Sequence, residues 1–432
     1  MPIIQPERLH FFYVDLPLCE QANLYRKGGY HPVHIDDILN ERYRVVNKLG
    51  YGSYATVWLV KDLTSGRYAA LKILTAEATN TSEVDVLRHL KTIQAESPDI
   101  LGGEFIVKVF DDFTVDGPNG THQCFVTEVL GPHLATELDL FWGGDEDSVE
   151  IADALYPADM KDDQYPIDTA KKMVAQVAQG VAYLHRIGVV HGDLHPKNAL
   201  LYFPEIENWS DQDIQKYFGP PKKRRVIRHP KYSDITIDDP RVPEYFVLAD
   251  TSVDLLALCT LASVHIKICD FGQAFLWGNE PTRIEIHTPR VYAAPEVIFR
   301  DPVTPAADIW ALAVLAHYLL SGGSFLFHSY SGIEKEVVRS MVLTLGKLPD
   351  RWWSKWDDRT EWFDDSGTLI GDAKMGGKRM LVKISCPRME EEEIEDFEDL
   401  IRRMVCYQPE DRISADDVVQ SIPADWIKGC KP

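Results

Sequence analysis

Along the first third of the chain the apolar positions fall in short runs with strand character. YRVVNKL (43–49), TVWLVKD (56–62) and RYAALKIL (67–74) are separated by Gly-rich and Thr-Ser-Gly turns, which predicts an antiparallel sheet. SEVDVLRHL (82–90) changes to a helical period with Ser82 as its candidate N-cap, and FIVKVFDDF (105–113) and HQCFVTEVL (122–130) return to strand. The expectation is five strands and one helix. After Gly131 helical periodicity dominates: Ile167, Ala170, Val174, Val177, Ala178 and Val181 make one stripe across residues 167–185. Residues 306–320 are apolar nearly all round, the pattern of a buried helix, too short to cross a bilayer and interrupted by Asp308 and His317. The expected class is therefore α+β in two lobes. An N-lobe over 41–130 holds the five-stranded antiparallel sheet and its helix, and a larger, mainly helical C-lobe covers 131–432. Residues 1–40 form an extension that packs on or leads into the first lobe, and a polar, Pro-rich spacer at 204–263 interrupts the second.

Composition narrows the partners. A chain of 432 residues with 45% hydrophobic content can bury a large core. Asp and Glu exceed Lys and Arg by 67 to 45, a formal charge of -22. That excess argues against direct binding of nucleic acid or an anionic membrane and permits a basic protein partner, although solubility alone accounts for it equally well. The seven cysteines (19, 124, 259, 269, 386, 406, 430) include no CxxC pair, so neither a disulfide framework nor a zinc site is expected. With no signal-like N-terminus and no run of about 18 apolar residues, a soluble monomer in the cytoplasm or nucleus is the expectation.

Three segments carry chemistry. Gly50-Tyr51-Gly52-Ser53-Tyr54-Ala55-Thr56-Val57 lies between two strand-like runs, where glycines let a hairpin backbone approach a polyphosphate and offer N–H groups to it. A tight turn would use the same residues, but a strand following the glycines excludes a Rossmann or Walker loop. The next strand ends in Lys72, spaced to bring an ammonium beside phosphates. Glu83 on the following helix is the candidate to hold that lysine, with Asp85 a poorer fit to helix geometry and a plain surface glutamate the alternative. The second segment is His191-Gly-Asp193-Leu-His195-Pro-Lys197-Asn198. It suits a carboxylate, Asp193, to receive a hydroxyl proton and a carboxamide, Asn198, to ligate metal across one loop. His191 and His195 stand four apart in a Pro-containing loop, which is not an HExxH helix; His191 reads as a packing residue. The third is Asp270-Phe271-Gly272 behind VHIKIC, a hard oxygen ligand at a strand end, matched to Mg²⁺.

In order and context, Gly50/Gly52, Lys72, Glu83, Asp193/Asn198, Asp270-Phe-Gly and Ala294-Pro-Glu296 resemble the eukaryotic protein-kinase signature over about residues 43–425. Within that superfamily the chain is similar to the serine/arginine-protein kinases in their fungal form. The residues that carry this are LGYGSYATVWL, CFVTEVLGPHL, HGDLHPKN, TPAADIW, LGKLP and the long insert that puts Asn198 and Asp270 72 positions apart (270 less 198). The resemblance implies a bilobal protein-kinase fold and ATP- and Mg²⁺-dependent transfer of the γ-phosphoryl to serine or threonine, in basic, Arg/Ser-rich, splicing-related proteins. It implies that Leu49 and residues Gly50 to Val57 cover the nucleotide, that Thr127 is the gatekeeper, and that Glu128 and Leu130 meet adenine through backbone groups. Asp193, Lys72, Asn198 and Asp270 would be catalytic, and Asn198 and Asp270 would hold the metal. Asp308 would brace the catalytic loop, and Arg412 would pair with Glu296.

Several positions depart from that pattern. Ala55 replaces the third loop glycine, His195 stands at the position of a phosphate-contacting lysine, Gly192 replaces an arginine, and Ala293 occupies another arginine site. Softer signals have ordinary readings beside functional ones. The acidic run 390–399 could dock an Arg-rich peptide or simply favour a helix N-terminus, the reading preferred here. KKRR (222–225) could be a localisation patch, a pseudo-substrate or a solvated spacer edge, and Trp352, Trp353, Trp356 and Trp362 read as anchors of an insert. Two rival functions remain: a small-molecule phosphotransferase, which Ala294-Pro-Glu296 and Arg412 disfavour, and a pseudokinase scaffold, which Lys72, Asp193, Asn198 and Asp270 disfavour.

Overall fold

The apolar runs of the first third pair into one antiparallel sheet because alternate side chains can then share a single buried face. A computed structural model describes residues 19–79, 81–135, 165–226, 239–249, 264–278, 285–327, 329, 333–370, 386 and 388–427. The chain divides into two units, one of residues 1–98, 107–132 and 202–259 and the other of 99–106, 133–201 and 260–432.

In the first unit the strands β1 (Ile38–Leu39), β2 (Tyr43–Gly52), β3 (Ala55–Asp62), β4 (Tyr68–Leu74), β5 (Val109–Gly117) and β6 (Gly120–Thr127) lie in the order β1-β2-β3-β4-β6-β5. The five expected strands are present and a sixth, β1, joins from the extension. Two residues are too few for a period-2 signal, and β1 exists because Asn40 and Glu41 adopt φ 51 and 54 and turn the chain back tightly onto Arg44 and Tyr43. Tyr43, Val45, Trp58, Val60, Leu71, Ile73, Cys124 and Val126 share the buried face. The helix α1 (Ser82–Glu96) packs beside this sheet, with Val84, Val86, Leu87 and Leu90 buried and Asp85 exposed. Its N-cap is Thr81, one residue before the expected Ser82, and the Thr81 hydroxyl donates to the Ala78 carbonyl instead of capping the helix. Spacer residues also belong to this unit. A short helix, Asp211–Phe218, starts in a capping box formed by Ser210 and Asp213, and its Asp211 takes hydrogen bonds from Lys61 and Tyr68. Lys223–Arg225 of KKRR is an exposed strand paired with Tyr245–Val247, and the Lys223 ammonium lies 4.4 Å from the Tyr245 ring centre. Residues 1–18, 227–238 and 250–263 of the extension and spacer lie outside the described residues.

The second unit is organised around the helices Ile167–Arg186 and Ala306–Ser321, which pack against each other. The latter is buried from Ala307 to Ser321, as its all-round apolarity requires. The acidic run opens the helix Glu391–Met404 through a capping box between Glu390 and Glu393, while Ile394, Phe397, Leu400 and Ile401 face inward. Trp352, Trp353 and Trp356 are buried, and the Trp352 indole N–H donates to Asp301 at 2.7 Å. Among the described residues no helix is long and apolar enough to cross a membrane, and no disulfide joins the cysteines.

Two buried electrostatic arrangements should dominate the response to mutation and pH. Arg412 donates to both Glu296 oxygens at 2.6 and 2.7 Å and to the carbonyls of Cys406, Ala306 and Tyr407, with 0% and 1% of the two side chains exposed. Removing one partner leaves a desolvated charge, so Arg412→Met should lower unfolding free energy by about 3–5 kcal/mol in urea titrations. In the first unit His31 is buried with its ring 4.9 Å from His122. Burial, then the His122 charge, lowers its pKa to about 4. A histidine held neutral in the fold binds fewer protons than in the unfolded chain, so stability should fall as pH drops from about 6.5 to about 4, by up to ~3 kcal/mol. His31→Phe should flatten that slope in unfolding midpoints measured across the same range.

Candidate active site

The Gly-rich turn closes β2 onto β3, with Gly50 opposite Val57, Tyr51 opposite Thr56 and Gly52 opposite Ala55. A Cβ added to Gly50 or Gly52 would meet nothing within 4 Å, so neighbouring protein atoms do not demand glycine there. The open space a side chain would fill is what a backbone cradle for a polyphosphate needs. Tyr51, Ser53 and Tyr54 are exposed along the turn and Leu49 is half-buried before it. Ala55 and Thr56 are buried, and the Thr56 hydroxyl accepts from the Trp58 indole at 2.9 Å. A buried position explains why a small side chain replaces glycine at 55.

Lys72 lies on β4, with Val57 on one side and Phe125 on the other. Its ammonium forms an ion pair with Glu83, whose side chain is 5% exposed. Of the two acids in the first turn of α1, Glu83 faces the sheet and Asp85 faces solvent. At the end of β6 the Thr127 hydroxyl donates to the Glu128 carbonyl at 3.2 Å. Glu128 is buried and accepts from the Lys108 N–H at 2.9 Å, which ties the chain before half-buried Leu130 to the start of β5. Burial and the Glu128 charge raise the proton affinity of Glu207, so a spacer carboxyl lies in the field of this segment.

In the second unit the loop that carries Asp193 is held by a single buried carboxylate. Asp308 accepts from His191 N–H at 2.8 Å, Gly192 N–H at 2.9 Å and the His185 ring at 2.9 Å. Burial acts to raise its pKa, but the His185 bond, the nearby histidine charges and the His191 N–H outweigh it and keep the carboxyl below its usual range. His185 has no signal in the sequence beyond its place in the last turn of a helix, and only the fold brings it to Asp308. His191 is fully buried: its Nδ1 accepts from Asp193 N–H at 3.3 Å, which leaves Nε2–H to donate to the Cys269 carbonyl at 3.1 Å. It packs against Phe271 at 5.2 Å between ring centres, and also ties the two halves of this site together.

Asn198 donates to the Asp193 carbonyl at 2.8 Å and reaches Asp193 Oδ2 at 3.3 Å. Asp193 Oδ1 is buried with no hydrogen-bond partner, an acceptor aimed where nothing in the chain uses it. His195 accepts the Lys197 N–H at 3.2 Å and sets its Nε2 3.6 Å from Asp193 Oδ2. Asp270 ends the buried strand Ile266–Ile268 as an exposed carboxylate with φ 60, a left-handed conformation that Asp tolerates better than most residues. Its Oδ1 accepts from Gly272 N–H at 3.4 Å. With the Asn198 amide nitrogen committed to Asp193, the amide oxygen is the end suited to a cation. Asn198 and Asp270 are hard oxygen donors that fit Mg²⁺ completed by substrate phosphate and water. Among the described residues no group of three His, Cys, Asp or Glu side chains could hold a metal by itself.

Gly192 has φ +75, and a Cβ there would lie 2.7 Å from the Gln273 carbonyl oxygen. The Thr288 hydroxyl donates to the Gly192 carbonyl at 2.6 Å from a buried position. Ala293 is buried one residue before Ala294.

Comparison with known proteins identifies the family. The family model "Protein kinase domain" matches residues 43–207 and 257–423, leaving out most of the spacer. A serine/threonine-protein kinase SRPK of Physarum polycephalum is 28% identical over 92% of this chain and 89% of its own length. A serine/threonine protein kinase of Aspergillus fumigatus is 26% identical over 93% and 88%. The human SRSF protein kinase 3 is 39% identical, over 42% of this chain and 29% of its own length. The chain belongs to the protein kinase family and is a serine/threonine protein kinase similar to the SRPK-type enzymes.

Proposed function

We propose that the chain uses ATP and Mg²⁺ to phosphorylate serine hydroxyls in basic, Arg/Ser-rich protein segments. The observation that carries the chemistry is the buried, unpartnered Oδ1 of Asp193, beside an Oδ2 and a backbone carbonyl already engaged by Asn198. One carboxylate oxygen is thereby fixed and the other is left to accept a hydroxyl proton, orienting the serine oxygen for attack. Lys72, aligned by Glu83, neutralises phosphate charge. Asn198 and Asp270 hold the metal, which when bound offsets charge on the transferred group. Asp308 fixes the backbone on which Asp193 rides. Asp193 neither forms nor breaks a bond to phosphorus.

The substrate class rests on two observations. The similar human protein is named for SRSF proteins, and this chain carries -22 formal charges, including the exposed Glu391, Glu392, Glu395 and Asp396. An acidic surface attracts an Arg-rich segment over distances that salt shortens to about 8 Å at physiological ionic strength.

Two measurements test this reading. Incorporation of γ-phosphate from radiolabelled ATP should favour an Arg/Ser-repeat peptide over a neutral serine peptide and an aminoglycoside, and kcat/KM for the repeat peptide alone should fall steeply between about 50 and 200 mM salt. Equal salt slopes for both peptides would detach the acidic surface from recognition, and preferred labelling of the aminoglycoside would replace the substrate class altogether. Asp193→Asn keeps the shape of the loop but loses the acceptor. Single-turnover phosphorylation should drop by at least about a hundredfold, the lower end of what positioned general-base groups contribute. A loss of only a few-fold would remove Asp193 from the role.

A further inference from the structure

The sheet ties the Gly-rich turn through the Gly52–Ala55 pair and through the Thr75 N–H, which donates to the Tyr54 carbonyl at 2.8 Å. The Cα positions of Gly50 and Gly52 border open space, and Tyr51 and Tyr54 are exposed. A further fastening comes from the extension. The Tyr30 hydroxyl donates to the Gly52 carbonyl at 2.5 Å, and Tyr30 is only 2% exposed. Its own backbone is pinned on both sides: its N–H donates to the Leu24 carbonyl at 3.1 Å, and its carbonyl accepts from Asn119 Nδ2 at 2.7 Å. The preceding Gly28 and Gly29 carbonyls accept from Glu77 and Ala76 at the end of β4, at 2.8 and 3.1 Å. Burial, then the Glu20 charge, pushes the Tyr30 hydroxyl up to about 12, so it remains a donor at neutral pH.

A second tie acts just before the glycines. Lys48, two residues ahead of Gly50 on β2, pairs with Glu20, and the two side chains are 0% and 1% exposed. The Tyr25 hydroxyl also donates to Glu20, and the Tyr25 ring lies 5.4 Å from that of Tyr30. A fully buried ion pair is a poor source of net stability, because desolvation consumes most of its attraction, but it sets register where a sliding contact would not. Extension and loop are thus locked at Lys48 and again at Gly52.

A trans peptide holds its C=O and N–H in one plane, pointing in opposite directions. Turning the Gly52 carbonyl into Tyr30 therefore aims the Ser53 N–H away from the extension. We propose that Tyr30 is a positioning residue for nucleotide: through the Gly52 carbonyl it presents the Ser53 N–H to the polyphosphate of bound ATP. This rests on the reading of the Gly-rich turn as the ATP phosphate cradle.

Tyr30→Phe removes one oxygen and keeps the buried ring, and calorimetric titration with MgATP and, separately, with adenosine tests the role. Adenosine has no phosphate and should bind unaltered chain and variant within twofold of each other. MgATP should bind the variant about three- to tenfold more weakly, the range one hydrogen bond spans. KM for ATP should rise in the same proportion, with kcat changed by less than about twofold. Equal weakening of both ligands marks a folding defect and overturns the proposal, as does unchanged MgATP affinity. If the unaltered chain itself fails to bind MgATP, the cradle reading falls and this inference falls with it, an outcome distinct from the other two.

Discussion

The carboxylate of Asp308 is the constraint on which the catalytic half depends. A charge this deeply buried is tolerable only when hydrogen-bond donors compensate it, and here the donors are two consecutive backbone N–H groups and a histidine ring. The requirement works in both directions. The helix Ala306–Ser321 can bury Asp308 in its first turn because the loop supplies N–H groups, and the loop keeps its shape because the carboxylate claims them. His191 carries the same order onward, from the Asp193 N–H on one side to the Cys269 carbonyl beside Asp270 on the other. One anion thus organises the residues to which proton acceptance and metal binding are assigned.

The first unit is ordered differently. The space beside the Cα atoms of Gly50 and Gly52 is open, and residues 20–30 add ties from outside the hairpin through Glu20 and Tyr30. The spacer contributes at the same strand, where Asn47 reaches the carbonyls at the end of the short helix Asp211–Phe218 at 3.5 Å. Two segments outside the repeating sheet pattern therefore flank the strand that leads into the turn.

What the sequence disclosed follows from how far each interaction reaches along the chain. Lys72 and Glu83 are separated by one turn and the start of a helix, and their pairing could be reasoned from strand end and helix face. Asp193 and Asn198 share a loop, so their spacing carried its own chemistry. His185 with Asp308 and Tyr30 with Gly52 join residues 123 and 22 positions apart, and neither is marked by any local pattern. The strand Ile38–Leu39 escaped notice for the opposite reason: it is so local that two residues leave no period to read. The KKRR run was open to several readings, and its Lys223–Arg225 part is an exposed strand that the sequence does not mark, because its partner Tyr245–Val247 lies beyond the reach of any sequence window.

The left-handed backbone at Gly192 has a consequence for how this enzyme could come under control. A residue with a side chain at that position would drive its Cβ to 2.7 Å from the Gln273 carbonyl, in a conformation that L-residues adopt at a cost of about 1–2 kcal/mol. A cationic side chain next to Asp193 is therefore not one substitution away; the Gln273 peptide would have to move as well. Control exerted through the loop at Gly192 would thus require the backbone around Gln273 to rearrange, whereas the extension and the spacer already bond to the strand that leads into the Gly-rich turn.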